Sequence, residues 1–385
     1  MTSTPLLTLD GAVPAEGVDA GVAGHYGNPI VEQRKLERGD AIVDLSNRGV
    51  LTVTGPDRLS WLHSMASQAL DRLAPGEPAE ALFLDASGHI EHVVHVVDDG
   101  ETTWLVVEGA EAEPLAAWLD RMRFMLRVEV ADRTAEFAAL GAMSTTALDA
   151  AVTAFSPNDV RLDWIDPWST HAPGTHRYAS DAGHPASGWH WIERIVPRSA
   201  LADAAESVRA GRVAVAGSLA GEALRIAAWR PRLATEVDEK SIPHELDWLQ
   251  SAVDLGKGCY KGQETVAKVL NLGRPPRRLV LLHLDGSDTV LPAPGDQVVG
   301  EKVRPEPAPG EAPERRAVGH ITSSAMHHEL GPVALAVVKR QVPADLELIV
   351  ESHGIDVAAA QVEIVPADAG AAVDVPRLPR LGVRK

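Results

Sequence analysis

Up to residue 230, short apolar runs rich in β-branched residues alternate with stretches in which apolar residues recur every three or four positions. The first pattern is typical of strands, and it occurs at 49–54, 81–84, 90–97, 104–107, 126–130 and 191–196. The second pattern predicts amphipathic helices, here over 59–65, 114–124, 199–210 and 218–229. Strands and helices that mix in such short units predict α+β layers.

The pattern changes after residue 277, where strand-like runs follow one another without a helical spacing between them. These runs lie at 279–284, 333–338, 346–350 and 360–365. Several short strands in succession predict a small β-barrel. A Pro/Glu-rich insertion is expected over residues 303–316.

These patterns divide the chain into four segments. Residues 1–22 are rich in Gly, Ala and Pro and are predicted to be a flexible lead. Residues 23–277 would form two α+β lobes split near residue 150, with interleaving of the two lobes left open. Residues 278–366 would form the barrel, and residues 367–385 would form a tail with a basic end.

Length, charge and cysteine content narrow the class of protein. With 385 residues, two or three domains are expected. The formal net charge of −18 argues against nonspecific binding of nucleic acid by the whole surface. Cys259 is the sole cysteine, which fits a reducing compartment. Because neither a secretory signal nor a run of about 18 apolar residues is evident, we predict a cytoplasmic protein without a membrane span.

Segment 257–264, Lys-Gly-Cys-Tyr-Lys-Gly-Gln-Glu, carries the densest candidate chemistry and opens a predicted helix. Glycines allow positive φ angles and let a ligand approach the backbone closely. Free N–H groups at the helix start and two flanking lysines would favour a reactive thiolate at Cys259. Residues 257–278 hold six Lys/Arg residues and one acid. This basic island could accept a polyanion such as a polyglutamyl tail or a nucleic-acid backbone.

Simpler interpretations of these residues stay open. A lone cysteine near a helix start is often a small buried hydrophobe, and the basic island could be a solvated face. His89, His92 and His95 recur every third residue, but the valines around them favour a strand. On a strand, His92 would point to the face opposite the other two, so we predict no metal site.

Segment 257–264 resembles the signature of the YgfZ-type folate-binding proteins, Lys-Gly-Cys-Tyr-x-Gly-Gln-Glu, at every fixed position. Segment 238–245, Asp-Glu-Lys-Ser-Ile-Pro-His-Glu, resembles the preceding motif of the same family. Segments 44–57 and 318–324 resemble its shared N-terminal and barrel motifs, so the likeness extends from about residue 24 to residue 366. These proteins are a branch of the aminomethyltransferase-like superfamily, which includes the T-protein of glycine cleavage.

This resemblance implies two ferredoxin-like α+β lobes and a C-terminal β-barrel around a central hole that holds tetrahydrofolate. It implies that Arg225 contacts folate, and a guanidinium suits a carboxylate of the glutamyl tail; a helix-surface salt bridge is the alternative role. Cys259 would be the functional thiol. The remaining implied cofactor-binding residues are Lys257, Gly258, Tyr260, Gly262, Gln263 and Glu264.

The chain departs from the T-protein pattern at positions that the transfer reaction uses. T-proteins carry an Asp-Asp pair after a glycine turn, where this chain has Glu91 and His92. Their pterin-holding Tyr-Thr-Gly-Glu-Asp-Gly motif is not kept around residues 188–190, and Ala227 replaces the acid two places after Arg225. Since the transfer needs a carboxylate near the folate amine, these changes argue against aminomethyl transfer.

The resemblance implies an accessory protein for iron–sulfur protein assembly or repair that uses tetrahydrofolate and affects tRNA modification indirectly. Contacts with assembly or client proteins would be transient, because one cysteine cannot hold a cluster that usually has four ligands. A classical enzyme is not expected, and neither is direct tRNA binding. A folate-dependent aminomethyltransferase or demethylase acting on a small amine is the alternative. An RNA-associated scaffold that uses the basic island also stays open.

Overall fold

The structure, a computed structural model, describes residues 4–170, 174–181, 183–287, 290–302 and 314–372. In chain order, the strands of these residues are β1 Val13–Pro14, β2 Ala23–His25, β3 Ala41–Asp44, β4 Gly49–Thr54, β5 Pro78–Leu84, β6 Ile90–Asp98, β7 Thr102–Val107, β8 Glu129–Asp132, β9 Phe137–Ala142, β10 Asp163–Ile165, β11 Ile192–Pro197, β12 Ala214–Ala216, β13 Arg277–Leu284, β14 Gln297–Lys302, β15 Glu314–His327, β16 Gly331–Lys339, β17 Leu348–Ser352 and β18 Ile355–Glu363. The α-helices are α1 Pro29–Glu37, α2 Arg58–Met65, α3 Ala112–Met122, α4 Thr145–Ala151, α5 Ala200–Arg209, α6 Ser218–Ala227, α7 Leu233–Glu236, α8 Leu249–Ala252 and α9 Gln263–Asn271. Short 3-10 helices occupy Pro5–Thr8, Gly17–Asp19, Gly109–Glu111, Pro157–Asp159, Pro167–Ser169, Pro185–Gly188 and Pro243–Leu246.

One antiparallel sheet, with strand order β5-β6-β7-β4-β8, forms the first α+β lobe. Leu62 of α2 and Leu115 of α3 pack with inward residues of the strands on one face. Val50, Leu82 and Val106 point from the other face into a core shared with the rest of the protein. The sheet is therefore buried on both faces, which explains its nearly continuous apolar runs.

The second lobe is a sheet of order β10-β11-β9-β3-β12, in which β12 runs parallel to β3. Its strands come from both sides of the first lobe in sequence, because β3 precedes β4 and β9 follows β8. The two lobes are therefore interleaved. Residue 150 lies within α4 of the second lobe and does not divide them.

Six strands close the C-terminal barrel in the order β13-β16-β15-β14-β17-β18. The predicted α+β class with a C-terminal barrel is confirmed. Two barrel strands were not predicted: β14 and the 14-residue β15, which pair through Gly300 with Arg316. The predicted insertion over 303–316 thus overlaps β15, while residues 303–313 lie outside the described part of the chain.

The prediction of a flexible lead over residues 1–22 is wrong for the part that the structure describes. The Thr4 hydroxyl donates to Asp44 Oδ2 at 2.7 Å, and Leu6 is fully buried in the core of the second lobe. β1 pairs with β2, so residues 13–25 form a small ribbon. At the other end, Ala369 of the predicted tail is also buried, and residues 373–385 lie outside the described part.

The irregular segment 231–262 joins the three units. Its short helix α8 contacts β5, its 3-10 turn at Pro243–Leu246 contacts β13, and α7 contacts β15. Leu246 and Trp248 are buried in the shared core. None of the described helices is long and apolar enough to cross a membrane.

Candidate functional site

A central cavity lies between the two sheets and the chain that follows α6; the family resemblance implies a central hole in this fold. The space inside it that water-sized molecules can occupy is about 80 Å³. Its apolar wall includes Val43, Leu45, Val93, Val106, Trp189, Trp191 and Trp248. Its charged wall includes Asp19, Arg48, Glu80, His95, Glu108, Asp166, Glu193, Glu222, Arg225, Arg230 and Arg232.

Two arginines reach this cavity because the chain turns sharply after α6. The helix ends at Ala227, and Trp229 adopts a left-handed φ of 61°, which is uncommon for a bulky residue. Pro231 cannot donate a backbone hydrogen bond to continue the helix. Arg230 and Arg232, on either side of this proline, both lie on the cavity wall.

Arg232 is held by three carboxylates from distant parts of the chain. Its Nε donates to Glu108 Oε1 at 2.7 Å, its Nη2 to Asp19 Oδ1 at 2.8 Å and its Nη1 to Glu222 Oε1 at 3.1 Å. Burial by itself would raise the pKa of Glu108, but Arg48 and Arg232 lower it to about 2. These buried charges are therefore compensated within the protein.

Arg225, the predicted folate contact, lies on the cavity wall and is only 6% exposed. Its Nη1 donates to Glu236 Oε2 at 2.9 Å, and its Nη2 donates to Glu222 Oε2 at 2.8 Å. Arg225 is thus part of a buried charge network rather than of a helix-surface salt bridge. A ligand carboxylate would have to replace Glu222 to make a direct contact with this guanidinium.

Aromatic rings and one buried acid form another side of the cavity. Trp189 and Trp191 stack with ring centroids 5.3 Å apart, and the Trp191 Nε1 donates to Glu193 Oε1 at 3.1 Å. His95 stacks on Trp164 at 3.6 Å, and its Nδ1 lies 2.8 Å from Glu193 Oε2. Burial would raise the pKa of Glu193, but His95 lowers it to about 2, so the site presents an ionised carboxylate beside flat apolar surfaces.

Arg230 contacts both acidic residues of the cavity wall and buried tryptophans. Its Nε donates to Asp166 Oδ2 at 2.9 Å, and its Nη2 donates to Glu80 Oε1 at 2.7 Å. The guanidinium carbon lies 5.0 Å from the centroid of Trp168 and 6.0 Å from that of Trp248. Such cation–π contacts further stabilise a desolvated arginine.

The cysteine loop, residues 257–262, has an exposed tip and a buried anchor. Gly258 and Cys259 are exposed, so Cys259 is not the small buried hydrophobe of the simpler interpretation. Lys257 is buried, and its Nζ donates to the carbonyls of His63 and of Ala66, the latter at 2.5 Å. Tyr260 is buried with its ring centroid 5.1 Å from that same Nζ.

Gly262 fixes the end of this loop against the β5–β6 hairpin. Its φ is +85°, and a Cβ there would lie 2.7 Å from the carbonyl oxygen of Asp85, so only glycine fits. It caps α9, where Gln263 Nε2 donates to the carbonyl of Lys257 at 3.3 Å. Glu264, in the first turn of α9, is exposed.

The cysteine loop lies beside the cavity and not on its wall. None of residues 257–264, all of which the structure describes, contributes to the lining. Strand β6 links the two places, because Val93 lines the cavity and Glu91, two residues earlier, pairs with Lys261 at 3.1 Å. Two residues of a strand span roughly 7 Å. The structure therefore brings the predicted loop residues together but separates them from Arg225.

Glu91 and His92, which stand where T-proteins carry the Asp-Asp pair, both contact residues outside the cavity. Glu91 is exposed and pairs with Lys261. His92 points to the other face of β6, where its Nδ1 bonds to Glu111. Among the described residues, no group of three or more His, Cys, Asp or Glu side chains could hold a metal ion.

The basic island is largely neutralised in the folded protein. Lys257 and Arg278 are buried, and Lys261 pairs with Glu91. Arg277 pairs with Asp238 and Glu245. Two of the six basic residues, Lys268 and Arg274, remain as exposed positive charges outside these contacts, which is little attraction for a polyanion.

The wall residues Glu80, His95, Arg230 and Arg232 were not predicted from the sequence. The Arg-Pro-Arg sequence at 230–232 was the available signal, because two cations beside a helix-ending proline in an acidic protein need buried counterions or a ligand. Apart from Glu222, which is 10 residues from Arg232, the carboxylates that meet them are 64 to 213 residues away, so local spacing does not reveal most of these pairs.

A model of the GCVT N-terminal domain matches residues 26–257, and the chain therefore belongs to the GCVT family of aminomethyltransferase-like proteins. The crystal structure of the glycine cleavage system aminomethyltransferase T from Bartonella henselae has the same fold, with a TM-score of 0.71 over 94% of this chain and 96% of that one, at 18% identity.

Two curated relatives extend this comparison. A chloroplastic protein of Arabidopsis thaliana is 25% identical over 276 residues, which is 69% of this chain and 61% of that protein's length. An iron–sulfur cluster assembly factor IBA57 homolog, mitochondrial, of Chaetomium globosum is 26% identical over 346 residues, 81% of this chain and 74% of that protein.

Proposed function

We propose that the chain is a YgfZ-type, tetrahydrofolate-binding accessory protein for iron–sulfur protein assembly or repair, with Cys259 as its functional thiol. The observation that carries this proposal is the exposed cysteine on a loop that is anchored beside, but outside, the central cavity. The iron–sulfur assembly factor among the relatives supports the same proposal. The indirect effect on tRNA modification and the cytoplasmic location stay predictions.

The chemistry of the cavity supports a reduced folate as its ligand. Trp189 and Trp191 offer flat apolar surface for a pterin ring. The ionised Glu193 can accept hydrogen bonds from the amino group of an aminopyrimidine. We propose that Arg225 positions the wall around this ligand through Glu222, rather than binding a free carboxylate.

The cavity is less suited to aminomethyl transfer. Each of its carboxylates contacts an arginine or a histidine, as Glu80, Glu108 and Glu193 illustrate. A base or charge-stabilising acid at the reacting amine would have to leave such a partner. The GCVT family match nevertheless keeps a folate-dependent transferase as the second candidate.

Anaerobic titration of the purified protein with tetrahydrofolate tests the proposal. A ligand that binds only the folded state raises the melting temperature, so we expect a saturable rise in the wild type. Trp191→Leu should weaken this rise, whereas Trp61→Leu, which removes a buried tryptophan of the first lobe, should lower the melting temperature without weakening binding. Absence of any rise would contradict the proposal. Release of formaldehyde equivalents from an amine would favour the transferase.

A further inference from the structure

The loop between α3 and β8 carries the two most exposed large apolar side chains of the described residues. Phe124 is 83% exposed and Met125 is 99% exposed, and their neighbours Met122 and Leu126 are 38% and 44% exposed. Residues 122–126 are called the apolar tip below. Single exposed apolar side chains are ordinary on protein surfaces, whereas a contiguous exposed group of them marks an interaction site.

The first lobe holds the apolar tip at both ends. Leu119 before the tip and Val128 after it are buried in the core of that lobe. The backbone N–H of Arg127 donates to Asp57 Oδ2 at 3.0 Å, and its Nη2 donates to Asp57 Oδ1 at 2.7 Å. Because both ends are fixed in the free protein, little further ordering is needed when a partner binds, and this favours affinity.

The backbone at Phe124 is better suited to glycine than to an aromatic residue. Helix α3 ends at Met122, and Phe124 adopts a left-handed φ of 46°. Glycine is the usual residue in this conformation just after a helix, because a bulky side chain is strained there. Neither backbone conformation nor burial therefore accounts for the phenylalanine, so its ring is expected to act at the surface.

The charges around the apolar tip indicate what covers it. Segment 121–127 holds three arginines and no acid in a chain of net charge −18. Two of these arginines pair with acids of the first lobe, and Arg121 is exposed without an ion pair to any described residue. One unpaired arginine attracts such an acidic protein only weakly to anionic lipid, and a fluid lipid surface gains nothing from a fixed tip. A shaped protein surface does gain from it.

We propose that the apolar tip is a docking site for a partner protein that offers an apolar pocket with carboxylates at its rim. Phe124 and Met125 enter the pocket, because aromatic residues and methionine are enriched at the centre of protein interfaces, where most of the binding energy is concentrated. Arg121 lies at the rim, where charge contributes to association rate and specificity. This inference goes beyond the proposed function, because it depends neither on the cavity nor on Cys259.

Photocross-linking of the full chain in cells tests this inference. Benzoylphenylalanine replaces Met125, and the control places it at Leu219, an isolated apolar residue of α6 that is 50% exposed. We expect one main adduct from position 125 that position 219 does not give. Its cross-linked peptide, identified by mass spectrometry, should contain apolar residues flanked by Asp or Glu. Identical adducts from both positions, or adducts spread over many proteins, would overturn the inference.

Phe124→Gly separates docking from stability. Glycine suits the left-handed backbone, so the melting temperature should not fall. Cys259 should react with a maleimide at the wild-type rate, because Asp57, which holds the tip, precedes α2, whereas the anchor of the cysteine loop contacts its C-terminal end. Binding of the purified cross-linked partner should weaken by about 30-fold or more, as at a central interface residue.

Arg121→Gln should weaken binding of the same partner by only about 3-fold and reduce its salt dependence. Unchanged partner binding in Phe124→Gly would overturn the inference. So would binding to vesicles of phosphatidylglycerol and phosphatidylethanolamine that the wild type shows and Phe124→Gly lacks, because the tip would then be a lipid contact. All these outcomes leave tetrahydrofolate binding untouched, so the proposed function is tested separately.

Discussion

The central cavity and the cysteine loop hold their charged groups in opposite ways. In the cavity, Arg232 is buried among three carboxylates, and it joins segments up to 213 residues apart. In the loop, Lys261 forms one exposed ion pair, while Cys259 faces solvent. The cavity therefore keeps its charges buried and paired, whereas the thiol of the cysteine loop is exposed to solvent.

The largest expected effect comes from breaking the cavity network with Arg232→Met. This change removes one guanidinium from Glu108 and Glu222, which still pair with Arg48 and Arg225. Removing one partner of a buried ion pair destabilises a protein by about 3–5 kcal/mol, and we expect a loss at the lower end of this range. Urea unfolding monitored by circular dichroism measures the loss. A change below about 1 kcal/mol would show that the network does not hold the two lobes together.

Gly262→Ala tests how closely the end of the cysteine loop packs against the β5–β6 hairpin. The new Cβ would lie 2.7 Å from the carbonyl oxygen of Asp85 at a φ of +85°, and such strain costs about 1–3 kcal/mol. Gly258→Ala is the control, because nothing lies within 4 Å of the Cβ that it introduces; its effect should stay within about 0.5 kcal/mol. Equal losses in both variants would contradict the described anchoring.

The lowered pKa of Lys257 predicts a pH dependence of stability that the charged groups of the cavity do not share. Burial lowers the pKa of Lys257 to about 8 in the folded protein, from 10.5. Between these pH values the unfolded chain binds more protons than the folded protein, so the free energy of unfolding should rise from pH 8 to pH 10.5. The rise should be less than the ~1.4 kcal/mol per pH unit that applies when one proton is bound only in the unfolded chain. Lys257→Met should lose this rise in urea unfolding series, and an identical slope in both proteins would refute the assignment.

The smallest effect is expected for Lys261→Met. Its ion pair with Glu91 has both side chains at least 40% exposed, and such surface pairs contribute about 0–1 kcal/mol. The same unfolding assay should therefore barely distinguish the variant from the wild type. A loss as large as that of Arg232→Met would remove the contrast between the two regions.

The sequence predicted elements where local pattern decides them and missed those that depend on distant partners. Strand β4 and helix α6 were predicted from the pattern of apolar residues. Segment 257–264 was singled out as a candidate site by its motif. β15 was missed because its polar Gly-His-Ile-Thr-Ser-Ser run becomes a strand only when the barrel closes around it. The packed lead depends on Leu6 reaching the second lobe, which no local spacing indicates.

In the candidate site, too, local features were predicted from the sequence and those that depend on distant residues were not. Glycine at position 262 was predicted to let a ligand approach the backbone, but in the structure the backbone of the β5–β6 hairpin lies against it. The separation of Cys259 from Arg225 could not be predicted, because it depends on how β6 runs between the cavity and the loop. The counterions of Arg230 and Arg232 lie on other secondary-structure elements, so only the folded chain reveals them.

The most direct test of the central claim measures an iron–sulfur enzyme in cells that lack the endogenous protein and carry either the wild type or Cys259→Ser. Tetrahydrofolate titration of both purified proteins accompanies it. We expect Cys259→Ser to bind tetrahydrofolate as the wild type does, because the cysteine lies off the cavity wall, while the activity of the iron–sulfur enzyme per amount of that enzyme falls. Full enzyme activity with Cys259→Ser would show that the thiol is not needed for the proposed function.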